Sequence, residues 1–340
     1  MNLEDKAYKK NNFCELAIYF QQKKFRLKYR KFIKICAAVC CVCIISILGS
    51  PWFKLFNNFN GRFQNLFEIK QRIQNLDNDK YIFLNKSTLN KEWNYTIGNS
   101  SIQTLPYELS YAAANNWTGW QPNPVLQLYS AYSKKLDELS AASFSRQKAP
   151  DFILFEYNTI DKDKRNILLD TPATWNTILP NYDISLMDKN RLLLKKKSQY
   201  KNIVLNNIKT EVYTFEEAIK IPETEGLVFA KIKITTTFLG KIITVLFRGN
   251  PSDITIKYGN GEVATFRIIS DTLQTPVLIN YVPRNIQQFA ALFLNHIVFI
   301  DFLATTDYSL EVKQIAFSNK FRKLYYKNDI EIEWFEAKEL

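Results

Sequence analysis

Residues 35–49, reading ICAAVCCVCIISILG, are the one long apolar run of this chain, and basic residues crowd only its N-terminal side. A helix crossing a bilayer core takes about 20 residues, so the run needs its flanks. Phe32 and Ile33 extend it inward, and Lys34 can carry its amine to the headgroups on its own apolar stem. Pro51, Trp52 and Phe53 extend it outward and end it in an aromatic pair suited to the interface. The expectation is one N-terminal transmembrane helix over 32–53.

Charge orients that helix. Ten Lys or Arg lie up to Lys34 against Glu4, Asp5 and Glu15, so this end holds +7 of the net +12. The remaining +5 is spread over the rest of the chain. The positive-inside rule makes 1–31 a basic cytoplasmic tail and places the following domains outside the inner (plasma) membrane. The same tail suits anionic membrane lipid. A charge localised beside a span does not describe a nucleic-acid partner. A cleaved signal peptide fits poorly, because the basic region is long and Leu48-Gly49-Ser50 lacks a small residue at the −3 position. A buried core helix would leave the charge asymmetry a coincidence.

All five cysteines, at 14, 36, 40, 41 and 43, lie in the tail or the span. The exported part therefore has no disulfide and must hold together through its core. Cys40-Cys41-x-Cys43 resembles a metal motif superficially, but in a lipid-facing helix cysteine behaves as a small hydrophobe.

After the span, Phe63, Leu66, Phe67, Ile73 and Leu76 make 54–78 a juxtamembrane amphipathic segment, resting on the membrane or on its own domain. Over 79–198 strand and helix patterns alternate. Residues 80–84 and 151–157 read as buried strands. Residues 105–115 read as a helix after the strand-like SIQT, 133–144 as the clearest helix, and 171–179 as a helix with Thr171 as N-cap and Pro172 in first position. Residues 183–187 and 191–196 read as a hairpin about the turn DKN. That order implies a small α/β sandwich domain.

Over 199–340 the period becomes two. Runs at 228–236, 242–248, 253–258, 262–269, 277–282, 297–303, 309–317 and 329–335 imply a β-sandwich, jelly-roll-like in its strand number. Gly259-Asn260-Gly261 separates two of them as a hairpin turn. The fold class is thus α+β and membrane-anchored. No internal repeat or low-complexity linker interrupts it, so the two domains should pack closely.

The chemistry is bounded by exclusion. Beyond the span there is one histidine, His296, and no cysteine, which removes a zinc site of His and Cys ligands. A Ser-His-Asp triad would need His296, whose neighbour Asp301 falls on the opposite face of a strand. Neither GxGxxG nor GxxxxGK[ST] occurs. No catalytic residue, metal or cofactor is assigned. Asp161, Asp163 and Asp170 follow the strong strand, where ligands gather in α/β sheets. They fit an oxygen-ligated calcium or an ordinary solvated loop. Trp117, Trp120, Tyr129 and Tyr132 cluster with Gln127 in NNWTGWQPNPVLQLYSAYS. Aromatic faces beside amides suit sugar rings, a core edge or a protein interface. The candidate ligand-binding set is Trp117, Trp120, Gln127, Tyr129, Tyr132 and Asp161.

Several motifs lie between 105 and 197. They are Pro106-Tyr107-Glu108-Leu109-Ser110, Pro124-Val125-x-Gln127-x-Tyr129-Ser130-Ala131-Tyr132, Leu136-Asp137, Ala149-Pro150-Asp151-Phe152-Ile153-Leu154-Phe155 and Ile160-Asp161, closing on Trp175, Asn181-Tyr182 and LLLKKK. This pattern resembles the extracytoplasmic soluble region of uncharacterised bacterial multi-pass membrane proteins. The β-rich tail, from GLVFAKIKI through GNGEVATFRI, resembles the part that follows in them. The chain departs from the pattern at Asn123, where the family has Arg, and in having one span instead of many. A strand–helix–strand domain ending in a basic strand is also similar to the soluble domains appended to polyprenyl-phosphate-dependent glycosyltransferases. The resemblance implies location and fold.

Two functions follow. One is a non-catalytic cell-envelope module that binds a glycan or a membrane protein. The other is a glycosyltransferase-like protein or accessory subunit. A lipid-linked donor takes several helices to hold, so the second would need a multi-pass partner.

Overall fold

The apolar run after Pro150 becomes strand β2, Phe152–Glu156, with its first four residues buried. Such a run needs cover on both faces. β2 pairs in parallel with β1, Ile102–Leu105, and antiparallel with β4, Arg191–Lys196, which forms a hairpin with β3, Tyr182–Met187. The sheet order is β1-β2-β4-β3. Ile102, Phe152, Leu154 and Leu193 pack on one face with Trp93 and Ile97 of helix α1, Lys91–Ile97, and with Tyr111 of α2, Ser110–Ala114. Ile153, Phe155, Leu192 and Leu194 belong to a second cluster with Phe144, Trp175 and Ile178. The helices of that second side are α3, Lys134–Ala142, α4, Ile167–Asp170, and α5, Pro172–Ile178.

The computed structural model describes residues 84–106, 109–145, 149–157, 164–247, 252–294, 311–320 and 322–338. All fall in one compact unit, Ile82–Leu340. The expected tail, span and juxtamembrane segment, 1–31, 32–53 and 54–78, lie outside the described residues, as do His296 and the expected strand 297–303. Among the described residues, no helix is long and apolar enough to cross a membrane.

Two further sheets follow, and the fold is α+β as expected. One has the order β10-β7-β12-β5. It comprises β5, Asn206–Thr214, β7, Leu227–Thr236, β10, Val277–Leu278, and β12, Tyr326–Ala337. The other has the order β6-β11-β8-β9. It comprises β6, Ile219–Lys220, β8, Ser252–Tyr258, β9, Val263–Ile268, and β11, Val312–Ser318. Alternate residues of both sheets, among them Val228, Ile232, Ile332 and Trp334 facing Ile254, Ile256, Ile315 and Phe317, share one core. This is a β-sandwich. The hairpin β8–β9 turns at Gly261, whose φ of 84° suits the glycine.

The sandwich and the α/β part are continuous. Leu227 and Phe229, which alternate with the inward Val228 and Ala230, join Phe155 and Trp175 instead. The start of β7 is therefore buried on both faces. Phe289, on helix α7, Ile286–Ala291, completes the joint, with its ring centroid 4.6 Å from Phe155 and 4.8 Å from Trp175. Asn166 Nδ2 and Tyr157 Oη both donate to the Pro283 carbonyl, at 2.9 and 3.3 Å.

Three expectations change. Residues 242–247 are not a strand but lie in helix α6, Phe238–Phe247, and 248 lies outside the described residues. A short apolar run does not announce its period. Here Thr237 caps the helix, its Oγ1 accepting from Gly240 N at 2.9 Å. Residue 84 opens a helical turn over 84–87 in place of ending a strand, and 80–83 lie outside the described residues. The helix expected over 105–115 contracts to α2, because Leu105 ends β1 and Pro106 brings no N–H to extend either element.

Candidate functional site

β1 and β2 are the parallel pair of the first sheet, so their carboxyl ends mark the place where α/β sheets gather ligands. Just beyond β1, the Pro106 carbonyl accepts from Leu128 N at 2.9 Å. That bond ties the 128–132 segment to the strand end. Leu128 and Ala131 turn inward and are buried. Tyr129 and Tyr132 are thereby left outside, 37% and 54% exposed. Beyond β2 the described chain resumes at Lys164, in a left-handed conformation with φ of 55°, and the next residue is Arg165.

Arg165 is only 9% exposed. Its guanidinium carbon lies 5.9 Å from the Tyr129 ring centroid and 5.5 Å from that of Tyr132, in cation–π range of both. Its Nε lies 2.7 Å from Asp170 Oδ2, an ion pair well shielded from water. Asp170 ends α4, whose start is fixed by Asn166 Oδ1 accepting from Leu168 N at 3.1 Å. Arg267 of β9 approaches the same place through a backbone bridge to Arg165. Two tyrosines thus form a shelf, backed by a guanidinium that a carboxylate holds in place. Among the described residues, Arg165 Nη2 and Asp170 Oδ1 are buried without a hydrogen-bond partner.

Burial pushes the Asp170 carboxyl up to about 6, against the pull of Arg165 and Arg267. The folded chain then keeps this proton at a pH where the unfolded chain has released it. The stability this brings is complete below the ordinary value of 3.8 and is lost as pH rises through about 6. The stability of the wild type minus that of Asp170→Asn should therefore fall between about pH 4 and about pH 7. Urea titrations of both proteins across that window check it, and a difference independent of pH contradicts the shift.

A second polar cluster stands at the same end of the sheet. Tyr111 Oη donates to Glu156 Oε2 at 3.2 Å, and Arg191 Nε donates to Asp188 Oδ2 at 2.8 Å. Arg191 also covers the Trp93 and Tyr111 rings at 5.5 and 5.7 Å. Burial foremost, then Glu156, pushes the Tyr111 hydroxyl up to about 12. These groups satisfy one another and brace the hairpin.

The structure divides the candidates expected from sequence. Tyr129 and Tyr132 come together with Arg165. Gln127 is exposed directly before their turn, its carbonyl accepting from Ser130 N at 2.7 Å. Trp117 and Trp120 sit by the opposite end of β1, where Ile102 N donates to the Gly119 carbonyl at 3.0 Å. Trp117 leans on the α1 core and donates from Nε1 to Asn94 Oδ1 at 3.3 Å. Both tryptophans cover the sheet edge and do not belong to the shelf. Asp161 and Asp163 lie outside the described residues. Asp170, grouped by sequence with a solvated or calcium-binding loop, is buried on Arg165.

Arg165 and Asp170 as a pair were missed. Their spacing in RNILLD carries no helical or strand period that would announce it. Asn123 is buried and structural. Its Nδ2 donates to Ser140 Oγ at 2.9 Å and its Oδ1 accepts from Val125 N at 2.8 Å.

The site so defined belongs to an α+β protein whose α/β part and β-sandwich share a core. No family model matches the chain. No curated protein matches it in sequence. Among solved structures it is similar to Pseudomonas aeruginosa AlgX, from that protein's structural and functional characterization. The match has 13% identity and a TM-score of 0.25, and it covers 71% of this chain and 50% of that one. The chain spans about half the length of AlgX.

Proposed function

We propose that this protein is a single-pass, membrane-anchored, non-catalytic module of the cell envelope that binds glycan on the Tyr129–Tyr132 shelf. The observation that carries the reading is the pair of exposed rings held by a buried Arg165 at the carboxyl end of β1 and β2. A sugar ring offers apolar C–H faces to an aromatic face and hydroxyls to its rim. A shelf already held in place loses little freedom when a ligand docks. The asymmetric charge about residues 32–53 supports an anchor in the inner membrane with these domains outside it, and the two four-stranded sheets support a jelly-roll-like sandwich.

The test is a glycan array probed with the full chain and with Tyr129→Ala/Tyr132→Ala. Both rings are exposed enough for the double variant to keep its fold, which circular dichroism verifies. Binding of a defined glycan class that disappears in the variant is expected. A wild-type chain that captures no glycan, or a variant that retains the same pattern, refutes the reading.

A further inference from the structure

The sandwich carries a cleft of about 480 Å³ that the shelf does not use. That is within the size range of ligand pockets, which run roughly 300–1,000 Å³. Its floor is a register row across three adjacent strands. Gln314 of β11 pairs with Lys220 of β6 on one side and with Lys257 of β8 on the other. The neighbouring Ile219, Ile315 and Ile256 point into the core, so the row points outward. Strands lie about 4.8 Å apart, which sets the two lysines roughly 10 Å from each other with the amide between them.

None of these three side chains makes a hydrogen bond or ion pair among the described residues. Lys313, also lining the cleft, closes on Glu311. Glu223 rims the cleft, so its charged lining is three lysines against two glutamates.

We infer that this cleft is a second binding site, for a carboxylate-bearing oligosaccharide. Two ammonium groups take carboxylates, and the amide both donates to and accepts from hydroxyls. A peptide that added itself as a strand would need an open sheet edge. β11 and β8 are already paired on both sides, and the edge strand β6 is only two residues long and is followed by Pro222, so it gives an added strand little to pair with. A polyhydroxylated acid, recognised by side chains alone, fits the face that remains.

The experiment is calorimetric titration of the full chain with a galacturonic acid oligosaccharide. A neutral galactose oligosaccharide of equal length and an oligoglutamate serve as comparisons. The acidic saccharide should bind, more weakly as salt rises. Lys220→Gln/Lys257→Gln should lower its affinity about tenfold or more, and Lys233→Gln, an exposed lysine on β7 of the other sheet, should leave it unchanged. Both lysines are exposed, so the double variant keeps its fold. Equal binding of the neutral saccharide, an unchanged affinity in the lysine variant, or no binding of the acidic saccharide overturns the inference. Oligoglutamate binding as tightly as the saccharide also overturns it and assigns the row to acidic peptide.

Discussion

Phe289→Ala should cost about 3–5 kcal/mol of folding stability. The ring is fully buried and stands where the α/β part meets the sandwich. It touches Phe155, Tyr157, Trp175 and Phe293, with centroid distances between 4.6 and 5.9 Å. Four neighbouring rings cannot all close on the space that its removal opens, so the loss combines transfer and cavity terms. Against a typical total of about 5–15 kcal/mol, this is a large fraction. Urea unfolding followed by circular dichroism measures it. Because the ring joins both parts, the variant should still unfold in one transition at a much lower midpoint. A cost below about 1 kcal/mol, or loss of the α/β part alone, would mean that the two parts do not share this core.

Asp137→Ala should cost about 3 kcal/mol for a different reason. Asp137 lies in α3 but caps α5, a helix whose own boundary residue, Thr171, makes no side-chain cap bond. Asp137 Oδ2 accepts from Ala173 N at 2.8 Å, and Oδ1 accepts from Thr174 N at 3.0 Å and Thr174 Oγ1 at 2.8 Å. Truncation takes the acceptor from the Ala173 and Thr174 N–H groups, at about 1–3 kcal/mol for a buried group so stranded, while Thr174 Oγ1 keeps the Asp137 carbonyl at 3.4 Å. Part of that is offset, since burial already pushes the Asp137 carboxyl up to about 6 despite the three bonds. Asp137→Asn should fall between, because its carbonyl can still serve Thr174 while its amide faces the Ala173 N–H. An alanine variant as stable as the wild type would show that the cap does not matter.

The Asp137 cap also illustrates what a sequence can and cannot disclose. Thr171 followed by Pro172 marks the start of α5 correctly, and Ser133 marks that of α3, where its Oγ accepts from Leu136 N at 3.3 Å. Those are local signals. The acceptor that caps α5 comes from 36 residues away and has no local signature. The same contrast runs through the sheets. β2, the β3–β4 hairpin and the Gly261 turn are legible because burial on one or both faces imposes a pattern on neighbouring residues. β5 was missed because it is an edge strand, exposed along most of its length, so nothing selects apolar residues there. α6 was misread because FLGKIITVLF is apolar at nearly every position and fits either period.

The site follows the same logic. The aromatic composition of 117–132 was visible, but its division was not. Tyr129 and Tyr132 are turned outward by the burial of Leu128 and Ala131, while Trp117 and Trp120 are drawn to the sheet by the Gly119 and Gln121 backbone bonds to Ile102. Gly119 has no room for a side chain, since a Cβ there would lie 2.3 Å from the Ser100 carbonyl oxygen. Arg165 joins the tyrosines only through the fold.

The central claim is that the outward tyrosines receive a sugar. Its most direct test is the dissociation constant of the tightest array glycan, measured by calorimetry for the wild type and for Tyr132→Ala. Loss of one stacking face should raise it about tenfold, with the unfolding midpoint unchanged. The same constant in both proteins would contradict a glycan site on this shelf.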